Sequence, residues 1–198
     1  MGQNEIVAAV LIGLVLLVAV VVWLVLRQRR SAALRGRFGD EYDRTVGAIG
    51  HRGKAEAELQ ARERRVAALD IRPLTPQERS EFSDEWREVK AVFVDSPPEA
   101  VLHADRTLVR MMATRGYPMA DFDRRYEDLT VAHADEARHY RAAHQIADRS
   151  LRGETTTEDL RQAMKHYEAL FDHLVSDVSD TVKHRPVTSP ATGPVQQG

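Results

Sequence analysis

Eight histidines and no cysteine set the first question, because histidine serves as both metal ligand and proton carrier. Glu136 and His139 form an E-x-x-H step, the spacing by which carboxylate-bridged di-metal bundles present two ligands from one helix. Such a site needs a second E-x-x-H and two further inward glutamates, and the sequence holds no second step. The pair therefore reads as exposed, with His139 off the apolar stripe of its helix. His144, among Tyr140, Ala147 and Leu151, reads as a half-buried histidine bonded to a neighbour, and His166 and His173 as pH-sensitive surface groups. Lack of cysteine removes thiolate metal sites, disulfides and cysteine nucleophiles together. There is no G-x-x-x-x-G-K-[ST], no G-x-G-x-x-G and no G-x-S-x-G. The sequence thus names no catalytic, cofactor-binding or metal-ligating residue, and no cofactor.

Its sharper chemistry is cationic. Arg27, Arg29, Arg30, Arg35 and Arg37 crowd one short stretch directly after Ile6–Leu26, a run of 21 residues without a charge. A helix of that length spans about 31 Å, close to the apolar thickness of a bilayer. Trp23 stands near the basic end, where an indole faces headgroups. A cleavable signal would show a basic leader, a shorter apolar core and a small-residue cleavage site. Here the leader is MGQNE and the run ends in Trp-Leu-Val-Leu, so the segment reads as a retained anchor. The myristoylation pattern fails because Ile6 stands where Ser or Thr is needed. The arginines orient the span by the positive-inside bias, with residues 1–5 outside and the remainder cytoplasmic. The expectation is a single-pass protein of the cell membrane.

Charge divides the rest. Residues 27–72 carry 12 Lys/Arg against 7 Asp/Glu, and from Pro73 onward 16 face 22. The basic part suits a bilayer with anionic headgroups. The acidic part is repelled by such a surface and by nucleic acid.

The elements that position these residues all show helical periodicity. His51–Asp70 has helical propensity but little to bury. Ala55, Leu59, Val66 and Leu69 fall at heptad-like spacing, and Arg62 interrupts them. The expectation is a solvated stalk helix, with weak self-association through residues 51–70 as the alternative. Thr75-Pro76-Gln77-Glu78 reads as a capping box opening a helix striped by Phe82, Trp86, Val89 and Phe93, and these aromatics read as core. Ser96-Pro97-Pro98-Glu99 reads as a second box, before Val101, Ala104, Leu108 and Met111 and a stop at Gly116. Tyr117, in the turn Arg115–Pro118, is a candidate contact residue. A shorter helix with Phe122, Tyr126 and Leu129 follows. Next come one from about Ala134 to Leu151, ending at Gly153, and one with Leu160, Met164, Tyr167, Phe171 and Leu174. Residues 180–198 are polar and rich in proline and glycine, the composition of a disordered tail. The fold class read from the sequence is all-α. It comprises a transmembrane helix (6–26), basic juxtamembrane and stalk helices (27–72), and a bundle of four longer helices plus a short one (73–179).

The stretches LRGRFGDEYDRTV, AEAELQARERRVAAL, FSDEWREVKAVFVDSP, RGYP, HYRAAH and TEDLRQAMKHYEALFDHL resemble an uncharacterised actinobacterial family of membrane-anchored helical proteins. Its members are usually labelled only as membrane or secreted proteins. The resemblance covers most of Leu34–Leu174 and implies an anchored helical domain of unknown function, with no catalytic residue to carry over. Together with the tether, it leads to the expectation of a non-enzymatic interaction module with an unidentified protein partner. The alternatives are an enzyme whose site is assembled from non-adjacent residues, and a lipid-recognition module.

Overall fold

The structure, a computed structural model, describes residues 2–119 and 121–176, without the side chains of residues 3–10. The expected tail at 180–198 and the end of the expected bundle lie outside them. Among the described residues there are eight helices and no strand: α1 (Gln3–Phe38), α2 (Asp40–Ile49), α3 (Arg52–Ala67), α4 (Pro76–Asp95), α5 (Pro97–Arg115), α6 (Phe122–Ala132), α7 (Ala134–Leu151) and α8 (Thr157–Ser176). The chain is all-α. One helix near the N-terminus is long and apolar enough to cross a membrane. The described residues fall into two compact units, the first from residues 2–68 and 121–138, the second from residues 69–119 and 139–176. The sequence division at Pro73 had put α6 with the later helices; the contacts put it with α1–α3.

In the first unit, α1 does not end with its apolar run. It continues to Phe38, and Leu34 and Phe38 on this extension join Tyr42 and Leu59 in the core, with Val46 and Val131 against them. Gly39, at φ +52°, lets the chain double back, and α2 returns beside the end of α1, where Arg35 meets Asp43 at 2.7 Å. After Gly50 the chain reverses again. Ser31 bonds Glu56 at 2.6 Å and Arg37 pairs with Glu63 at 2.8 Å, so α3 runs in the same direction as α1.

This corrects the reading of α3 as a solvated stalk. Ala55 and Leu59, which a self-pairing stripe would present, are buried inside the unit. So is Arg62, only 5% exposed, which donates to Glu41 at 2.9 Å and Glu127 at 3.0 Å. The residue that interrupts the stripe in sequence occupies a core position, because carboxylates from α2 and α6 meet it there. Arg65 bonds Glu127 and the fully buried Asp128 in the same way.

In the second unit, Thr75 and Glu78 form the expected reciprocal box at the start of α4. Ser96 makes no side-chain cap, although Pro97 follows it. Its N–H closes α4 on Val92 O at 2.8 Å, and its ψ of 71° differs from the extended 160° of the capping Thr75. Thr156 caps α8, accepting from Asp159 N. The stripes of α5 and α8 are buried throughout, and Trp86 stacks on Phe171 with ring centroids 4.5 Å apart. Leu151, expected inward, is 68% exposed, because α7 ends there. Arg115 is fully buried in the last turn of α5, where helix-end carbonyls favour a cation, and donates to the carbonyls of Arg72 and, at 3.5 Å, Leu174.

Candidate membrane-interface site

On α1 the large apolar side chains from Leu11 to Leu26 are between 43% and 67% exposed. The five arginines that follow share one rigid helix but not one fate. Arg27 lies over the Trp23 ring, 5.4 Å from its centroid. Arg35 pairs with Asp43 and lies over Tyr42, and Arg37 pairs with Glu63. Arg29 and Arg30 have no ion pair among the described residues, so the cluster is part structural and part open.

Because α3 runs alongside α1, its first turns stand beside the end of the apolar segment. A groove of about 240 Å³ is lined by Trp23, Leu26, Arg27 and Arg30 from α1, and by Gly53, Glu56, Ala57 and Gln60 from α3. It adjoins a second, of about 560 Å³, whose lining repeats Arg30 and Gln60 and adds Leu34, Arg37, Glu63 and Arg64. Both are open depressions on the α1–α3 seam, side by side from where the apolar run stops.

The acids along it are already engaged. Glu56 accepts from Ser31, from Tyr42 at 2.7 Å and from Arg52 at 3.0 Å. Burial pushes its carboxyl up, but these three donors outweigh that and hold it below its ordinary value. Burial and the Glu56 carboxylate raise Tyr42, keeping the phenol a donor. Behind the groove, burial likewise opposes ionisation of Glu41. Hydrogen bonds from Arg44, Tyr126 and Arg62 overcome it and lower the carboxyl. Gln60 and Arg64 are the functional candidates that the sequence reading missed. Only their spacing on α3 announced them, and that meant nothing before α3 was known to lie against α1.

Tyr117 is not a surface contact residue: it is 4% exposed. Tyr117 N bonds Met112 O and Gly116 N bonds Ala113 O, closing the end of α5 through Gly116 at φ +103°. A helix closed this way turns the residue after its left-handed glycine back onto the last turn.

The histidines also resolve. His139 is half-buried, with its Nδ1 3.0 Å from the Nδ1 of His166 across to α8, rather than exposed. One ring must donate and the other accept. Burial, then the neighbouring His139, lower the pKa of His166. A tetrahedral metal would need two ligands besides this pair. His144 sits 3.7 Å from both Asp105 and Asp148, while Tyr167 donates to Asp105 at 3.0 Å. Burial and then Asp105 raise the Tyr167 phenol, so Tyr167 keeps its proton at neutral pH and is no general base.

The chain matches no family model, no curated protein and no solved structure.

Proposed function

We propose that the protein is a single-pass, membrane-tethered helical interaction module. In this reading, residues 6–26 span the cell membrane, the helices beyond them lie in the cytoplasm, and Arg27, Arg29 and Arg30 rest against anionic headgroups. It serves as an adaptor, accessory subunit or regulator, and its partner is another protein. The observation that carries the reading is the continuity of α1. The helix that bears the bare apolar segment also supplies Ser31, Leu34 and Phe38 to the buried interior of the first unit. Removing the segment as a cleaved leader would cut into the helix on which that unit is built. The anchor is therefore part of the fold, and the arginines after it favour retention on the cytoplasmic side.

Two measurements on the full chain test this. Alkaline carbonate washing should leave the chain in the membrane pellet at its full mass. A reporter after Gly198 that works only in the cytoplasm should be active. A shortened, soluble product, or activity of a reporter that works only outside the cytoplasm, refutes the tether or its orientation. Capture of a defined partner from mild detergent, lost when surface residues of the second unit are changed, supports the interaction role.

A further inference from the structure

We infer that the groove along the α1–α3 seam is a binding site for the phosphate headgroup of an anionic phospholipid, gripped by Arg30 and Arg64 with Gln60 between them. This rests on the membrane-tethered reading and names a ligand for that face. Depth is the first argument. Arg30 lies four residues beyond Leu26, about 6 Å along the helix. The headgroup layer on each side of a bilayer is about 5–7 Å thick, so Arg30 stands at the level of lipid phosphates. The groove begins at Trp23 and Leu26, on the hydrocarbon edge, and widens toward Leu34 and Arg64. A glycerol backbone entering beside Trp23 thus delivers its phosphate to the basic stretch.

Charge is the second. The combined lining holds Arg27, Arg30, Arg37 and Arg64 against Glu56 and Glu63. Glu63 is neutralised by Arg37, and Glu56 is occupied by Ser31, Tyr42 and Arg52. Neither Arg30 nor Arg64 has an ion pair among the described residues, and both line the same cavity. Gln60, common to both parts of the groove, adds an amide donor for a phosphate oxygen. Two guanidinium forks and an amide lining one cavity supply the donors that a phosphate group requires. The opening on the hydrocarbon edge selects a lipid over a free phosphate.

The full chain, reconstituted in nanodiscs of phosphatidylcholine with one quarter phosphatidylglycerol and then re-extracted in mild detergent, tests this by mass spectrometry of the lipid it retains. Wild-type protein should keep phosphatidylglycerol in preference to phosphatidylcholine. Arg64→Gln with Gln60→Ala, both on α3 and outside the span, should cut that preference about fivefold, the weight of one basic contact with an anionic surface. The same variant should remain membrane-embedded and keep the wild-type melting temperature. Arg87→Gln, on α4, should change nothing. Equal retention by wild type and the double variant overturns the headgroup site while leaving the tether intact. Loss of the chain from the membrane altogether sinks the tether itself. Displacement of the retained lipid by millimolar inorganic phosphate would assign the groove to a soluble anion and overturn the lipid commitment.

Discussion

Replacing Arg62 with methionine tests the core of the first unit directly. Methionine keeps most of the aliphatic stem and removes the charge, leaving the buried Glu41 and half-buried Glu127 without one cation they share. Deleting one partner of a buried ion pair costs about 3–5 kcal/mol, mainly because the other charge stays buried without compensation. Glu41 retains the Arg44 guanidinium and the Tyr126 hydroxyl, so the lower end, about 3 kcal/mol, is the expectation here. For a unit of this size each kcal/mol is worth about 4–8 °C, and the melting transition of the full chain in mild detergent should fall by more than about 10 °C. A cycle of Arg62→Met, Glu41→Gln and the double variant should return a coupling of about 1–3 kcal/mol, because removing both charges relieves the penalty. Acid supplies an independent readout. Glu41 is held below its ordinary value in the folded state, so its contribution is complete above about pH 4.5. It is lost as the pH falls from there through the folded value, and Arg62→Met should flatten this acid limb. A single variant within about 0.5 kcal/mol of wild type, or an additive cycle, would mean that Arg62 is a solvated residue on an outlying helix.

Trp86→Ala should destabilise the second unit by about 3–5 kcal/mol, read from the thermal melt, since the side chain is 3% exposed and stacked on Phe171. Trp86→Phe should cost much less, because its buried Nε1 has no hydrogen-bond partner among the described residues. Gly116→Ala should cost at least about 1–3 kcal/mol, because its Cβ would stand 2.3 Å from the Asp70 carbonyl oxygen at a φ that favours glycine. Lowering of His166 predicts stability that is whole above about pH 6.5 and declines as the pH drops below it, when the unfolded chain takes up the proton more readily. His166→Gln should remove that dependence in a pH series of melts.

How far the sequence could be read depended on where each residue's partner lay along the chain. The stripes Val101–Ala104–Leu108–Met111 and Leu160–Met164–Tyr167–Phe171–Leu174 were legible because local apolar spacing alone fixes the buried face of a helix. The capping box at Thr75 was legible because donor and acceptor are three residues apart. Arg62 was not, since the carboxylates that admit it to a core position lie 21 and 65 residues away. Grouping α6 with the first unit turns on contacts of the same kind, such as Tyr126 to Glu41 across 85 residues. His139 was misjudged because its helix's own stripe leaves it outside, and only α8 supplies the opposing ring. Of the candidate site, the sequence contributed one wall, the arginines of α1. The facing wall, Gln60 and Arg64, needed two reversals of the chain to come alongside.

In the membrane-tethered reading proposed above, one helix is at once membrane span and structural strut, with no joint between the two. α1 runs for 36 residues, about 54 Å, with no proline to let it bend. A bilayer thinner or thicker than the apolar segment is met chiefly by tilting the span. With no hinge before Phe38, that tilt becomes the tilt of everything clamped to Leu34 and Phe38. Rolling the span about its own axis would likewise swing the groove around the helix like a key on its shaft. In that reading membrane thickness enters the protein as an angle, and the depth at which the groove's mouth would meet the headgroups follows from it.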